Sequence, residues 1–140
     1  MKPQYLRIGN YISHTNDNGT FLCKITAIGL NHVEVIVKGV KGEWHLRYNE
    51  IKPVKITEEF IRQLGFSGFS KRENEFYDGK LTIQLKLLHV NDAKYVEVYE
   101  FDEAWGNETY LTSCYFLHDL QNVLFDNFNE LELSLNLRNF

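Results

Sequence analysis

Five short strand-like segments, each closed by a turn signal, fill the first fifty-odd residues, and this spacing limits the fold more than any other feature. The segments are Tyr11–Thr15, Thr20–Ile28, His32–Lys38, Glu43–Tyr48 and Glu50–Val54. Between them lie Asn16–Gly19, Gly29–Asn31 and Gly39–Gly42, rich in residues that tolerate left-handed backbone angles. Within His32–Lys38 the residues Val33, Val35 and Val37 recur at every second position and so share one face, the period of a strand. Pro53 cannot donate to a ladder, so the last segment belongs at a sheet edge. Such a series predicts a small SH3-like antiparallel barrel or a twisted meander.

A helix is expected next. Thr57 is a suitable N-cap, Glu58 and Glu59 occupy the first turn, and Ile56 and Ile61 stand where a hydrophobic staple forms. Gly65 ends the helix, with Phe66 folding back. Ser67–Asn74 reads as a polar loop, and Asp78-Gly79 as a type I′ hairpin turn. Asn91-Asp92 turns the chain into a strand over Ala93–Phe101, where Tyr95, Glu97 and Tyr99 share one face. Asp102–Glu108 reads as a loop and Thr109–Phe116 as a further strand. Leu117, Leu120, Val123, Leu124, Phe125 and Phe128 are spaced for an apolar helix face, and Leu131–Leu137 alternates like a terminal strand. The expected class is α+β: the SH3-like lobe followed by antiparallel hairpins and two short helices.

Charge divides the chain the same way. Residues 1–56 hold eight Lys/Arg and four Asp/Glu, whereas residues 57–140 hold seven and fifteen. We therefore expect a basic β lobe (1–56) and an acidic α+β lobe (57–140), sharing one compact unit. A hydrophobic fraction of 44% is ample for a packed interior. The opening residues lack the apolar core of a signal peptide, and no apolar run approaches the roughly 18 residues of a membrane span. Cys23 and Cys114 each lie in apolar surroundings, as reduced buried thiols do. A cytoplasmic location with no membrane contact is the expectation.

Little in the chain resembles a reactive centre. His118-Asp119 has the letters of a phosphohydrolase metal dyad, but neighbours on a helix point about 100° apart. The remaining histidines, His14, His32, His45 and His89, fall in or beside predicted strands without HxH or HExxH spacing. No metal and no cofactor are expected. GxSxG, GxGxxG and GxxxxGK[ST] are absent. Cys114 and His118 stand four apart, which keeps a small hydrolase as a minor alternative, and no enzyme is expected.

Two surfaces carry binding potential. Lys38, Lys41, Trp44, Arg47, Lys52 and Lys55 combine positive charge with an aromatic ring, a set suited to single-stranded RNA. Glu97–Glu108 carries five carboxylates and no cation, interleaved with aromatics. Its residues Glu97, Tyr99, Glu100, Asp102, Glu103 and Trp105 suit a protein with a basic groove.

Three segments, Leu6–Ile12 (LRIGNYI), Ile56–Phe66 (ITEEFIRQLGF) and Leu117–Leu133 (LHDLQNVLFDNFNELEL), resemble a group of small uncharacterised proteins of bacterial prophages and mobile elements. The group has L-R-I-G-N, L-T-E-E-W-L-x-x-F-G-F and H-Q-L-Q-N-L-Y-F segments; here Phe60 replaces the Trp and Asp119 the first Gln. A metal dyad would not tolerate that Gln. The resemblance implies a phage-derived inhibitor of host defence, in the manner of anti-CRISPR proteins, whose partner is a defence protein or protein–RNA complex. It carries over no catalytic residue and says nothing of the oligomeric state.

Overall fold

The structure, a computed structural model, describes residues 1–69 and 72–128. Strands β1 (Tyr11–Asn16), β2 (Gly19–Ile28), β3 (His32–Val37), β4 (Glu43–Arg47) and β5 (Lys52–Pro53) form one antiparallel sheet in the order β4-β3-β2-β1-β5. Helix α1 (Glu58–Gln63) leads to β6 (Ser67–Phe69), β7 (Arg72–Tyr77), β8 (Ile83–Val90), β9 (Ala93–Asp102) and β10 (Asn107–Cys114). These pair in chain order as a second antiparallel sheet, and α2 (Leu117–Phe128) follows. The class is α+β, mostly strand. Neither sheet closes on itself: β4 and β5 lie at opposite edges of the first, so the expected element is met as an open meander rather than as a closed barrel. Pro53 does occupy an edge strand.

Each sheet has its own core. Ile12, Cys23, Ile25, Val33, Val35, Val37, Leu46 and Ile51 fill the first. Ile56, Ile61, Leu64, Phe66, Phe76, Ile83, Leu85, Val96 and Val98 fill the second, together with the buried side of α2. Tyr11 and Leu22 belong to the first sheet yet pack in the second core, so the two layers are continuous there.

Local expectations fare unevenly. Thr57 Oγ1 accepts from Phe60 N at 3.2 Å, and Gly65 turns at φ +105° while Phe66 N donates back to Ile61 O at 3.3 Å. The cap, staple and terminator all act as their residue types require. Asn91 and Asp92 both take positive φ, the left-handed pair that a two-residue hairpin needs.

Asp78-Gly79 does not form the expected type I′ turn. Asp78 is buried, and its carboxylate accepts from Thr82 N at 2.7 Å, Ile83 N at 2.8 Å and Thr82 Oγ1 at 2.7 Å. A longer loop closes around that carboxylate, and Leu81 takes the positive φ. Within the stretch expected as a polar loop, Ser67–Phe69 forms β6 and Arg72–Asn74 begins β7. Phe125 is half exposed rather than on the apolar helix face. The expected strand Leu131–Leu137 lies outside the described residues.

Candidate binding surfaces

The side of the second sheet turned away from α2 carries rings and carboxylates. Cross-strand pairing sets Glu75, Lys86, Glu97 and Ser113 in one row, and Tyr77, Gln84, Tyr99 and Tyr110 in the next. Lys86 Nζ lies 2.6 Å from Glu108, 4.0 Å from Glu75 and 4.5 Å from the Tyr99 ring centroid. Burial works against this ammonium. The Glu108 hydrogen bond, with the charges of Glu108, Tyr99 and Glu75, outweighs that and holds its pKa above 10.5. Tyr99 donates to Glu97 at 3.2 Å, and burial followed by this bond pushes its phenol up.

The six acidic-surface residues named from the sequence divide between two places. Glu97 and Tyr99 sit mid-strand on this tyrosine-rich face, as their period-2 spacing required. Glu100, Asp102 and Glu103 instead line a cleft of about 560 Å³, shared with Lys80, beside the β9–β10 hairpin. The stretch expected to be a loop is the tip of that hairpin, because β9 runs on to Asp102 and β10 begins at Asn107. Ala104 N donates to Asp102 Oδ1 at 3.1 Å and Gly106 takes φ +65°, which orders the tip. There Trp105 is 79% exposed.

The basic set is spread more widely. Lys38 follows β3 and Lys41 lies in the β3–β4 turn, while Lys52 lies in β5 at the far edge of the sheet. Trp44 is partly buried at the rim of the first core, edge-on to Phe21 at 5.5 Å and to His14 at 6.1 Å. Arg47 has the opposite strand parity and points to the other face. Lys55 bridges to Phe116 and lines a mostly apolar cleft of about 490 Å³ with Lys94, Tyr115 and Phe116. Tyr115 stacks on Tyr95 with centroids 5.5 Å apart.

Cys114 and His118 enter the fold as packing residues. Cys114 is 2% exposed in the second core, and burial, aided by the charge of Asp119, pushes its thiol up to about 12. Cys23 is raised to about 11 by burial. A thiol pushed up this far holds little thiolate near neutrality. His118 is buried and its ring stacks on Phe116. Burial lowers its pKa, against the opposing charge of Asp119 at 3.2 Å.

A cluster that spacing along the chain did not reveal appears on β3 and β4. His32, Glu34 and His45 present ligand atoms all within 4.8 Å of one another. The signal was there in two parts: His32 and Glu34 share a face at i, i+2, and the hairpin register sets His45 opposite Glu34.

Comparison with protein-family models, with curated proteins and with solved structures returned no match. Leu6–Asn10 and α2 are bonded to each other through Gln121, Asn122 and Asp126, and the helix segment at Ile56–Phe66 supplies four residues to the core that α2 closes. Those segments build the frame, whereas the hairpin tip and both clefts lie largely outside them.

Proposed function

We propose that this is a non-enzymatic binding protein that acts by occupancy, docking its acidic β9–β10 hairpin into a basic groove of a nucleic-acid-handling protein. The observation that carries this reading is Trp105. An indole exposed by 79% on an ordered turn, flanked by Asp102, Glu103 and Glu108, is the anchor-and-charge arrangement of an interface hot spot. Water solvates such a ring poorly, so a partner pocket stabilises it. The carboxylates steer the approach toward a surface that ordinarily receives phosphates.

With the prophage resemblance, the reading extends to an inhibitor of host defence, with an RNA-guided nuclease as the target to assay first. Trp105→Ala is expected to weaken binding about 30-fold, the usual cost of removing a hot-spot aromatic. Charge reversal at Glu100, Asp102 and Glu103 is expected to slow association and abolish inhibition. Unchanged inhibition by both variants would remove the hairpin from the mechanism.

A second reading, an SH3-like RNA-binding module, draws support from the cleft where Lys55 and Lys94 flank Tyr115 and Phe116. The meander order of the first sheet is compatible with it. It requires affinity that falls steeply with salt and a loss on Lys55→Ala/Lys94→Ala. RNA binding that is insensitive to both would end it.

A further inference from the structure

We propose that His32, Glu34 and His45 form a binding site for one divalent transition metal of the zinc class, on the outer face of the β3–β4 hairpin. The ligand set follows from sheet geometry. Side chains at i and i+2 of β3 point the same way, and Glu34 and His45 are directly opposed, so all three meet on one face. Glu34 Oε1 and His45 Nδ1 are already 3.7 Å apart, and the two imidazoles lie nearly parallel with centroids 5.5 Å apart.

Tetrahedral zinc with bonds of about 2.0–2.1 Å holds its ligand atoms roughly 3.4 Å from one another. The present spread of up to 4.8 Å closes to that by rotation about side-chain torsions, without moving the ladder. His45 is exposed, whereas His32 and Glu34 are half buried and supply the more fixed side of the site.

The surroundings shape the site. Gly29 has an ordinary φ, so its conformation does not require glycine. A Cβ there would stand 3.1 Å from His32 Cε1 and 3.4 Å from Nδ1, in the space the imidazole edge occupies. Gly29 N donates to His32 O at 2.8 Å, which fixes the backbone beneath the ring. Beside Glu34, β2 carries a bulge between Ile25 and Ala27, and the extra residue, Thr26, donates from Oγ1 to Glu34 O at 3.2 Å. Bulges often re-aim a neighbouring side chain at functional positions.

The donor chemistry selects the metal. Two imidazoles and one carboxylate suit zinc, copper, nickel or cobalt far better than calcium or magnesium, which take oxygen ligands. Three protein ligands leave one tetrahedral position for water or an incoming anion. The site then carries a net charge of about +1 from a divalent ion and one carboxylate.

The test uses the full chain without an affinity tag, titrated with zinc against a chromogenic chelator and with cobalt(II) by visible absorption. Wild type is expected to bind one zinc per chain, with intense ligand-field bands for cobalt in a tetrahedral site. His45→Ala and Glu34→Gln are each expected to lose at least about tenfold in affinity, and the cobalt bands with it. His14→Ala and His89→Ala are expected to bind as wild type does. Because His45 is exposed, its removal leaves the fold intact, and circular dichroism confirms this for each variant. Wild-type binding no tighter than that of His45→Ala, or an equal loss in His14→Ala, would overturn the proposal.

Discussion

Gln121 completes the β-ladder of Tyr11. Its Oε1 accepts from the buried Tyr11 N–H at 2.9 Å while its Nε2 donates to Gly9 O at 2.9 Å. Strand β5 pairs with β1 only at Ile12 and Ser13, so Tyr11, paired with Lys24 of β2 on one side, has no β5 residue opposite it on the other. A primary amide offers one donor and one acceptor, and the side chain takes that place. Asn122 extends the junction, accepting from Asn10 Nδ2 at 2.8 Å and donating to Tyr5 O at 3.0 Å. Gln121→Ala would leave a buried N–H and a carbonyl without these partners, an expected loss of about 2–4 kcal/mol in urea unfolding. Arg7→Ala would cost under about 1 kcal/mol. Its paired bonds to Asp126 at 2.6 and 3.0 Å are exposed and screened by solvent.

His118 makes stability depend on pH with a definite sign. Burial lowers its pKa below the ordinary 6.5, so the unfolded chain binds a proton that the folded chain refuses. The penalty is absent above about pH 6.5 and grows as pH falls from there toward the folded-state value. His118→Gln lacks the titration. Midpoints measured between pH 5 and 8 are expected to fall more steeply with acid in wild type than in the variant. Parallel curves would show that the ring is accommodated in its charged form.

How far the sequence foretold this molecule depends on the range of the interaction. Thr57, Ile56, Ile61 and Gly65 act on one another within nine residues, and cap, staple and terminator were legible because each is a local event. Asp78 shows the limit, since its dipeptide fits a tight turn but its carboxylate finds better partners in Thr82 and Ile83. The histidine–glutamate cluster depends on the register across the β3–β4 hairpin, a quantity the strand segments leave open. The lysines of the basic set are neighbours in sequence, yet Lys41 and Lys52 belong to opposite ends of a five-stranded sheet. That Trp105 stands at the tip of a hairpin was not legible, because the length of β9 and β10 is fixed by pairing rather than by composition.

Both cysteines are expected to resist labelling. With burial pushing the thiols up to about 11 and about 12, Cys23 and Cys114 are expected to react only when the fold opens. Ellman's reagent at pH 8 should modify neither in native buffer over minutes and both at once in denaturant. Rapid native labelling of Cys114 would show a reachable thiolate, as the hydrolase alternative requires.

Lys86 offers a test of the tyrosine-rich face. Its ammonium touches Glu108 and the Tyr99 ring and lies 4.0 Å from Glu75, with only 19% of the side chain exposed. Replacing it with Met keeps the packing volume but removes the ammonium that Glu108 bonds, an expected loss of about 1–3 kcal/mol at pH 7. The pH dependence supplies an independent check. Because folding raises the Lys86 pKa, its contribution is fully present below about 10.5 and is lost as pH rises through the folded value. Wild type and Lys86→Met are therefore expected to differ most at neutral pH and to converge in strong alkali. A Glu108→Gln background should remove much of the difference at pH 7, as a double-mutant cycle would record. If Lys86→Met instead costs the same with and without Glu108, the lysine contributes through its stem packing on Tyr99 and not through charge.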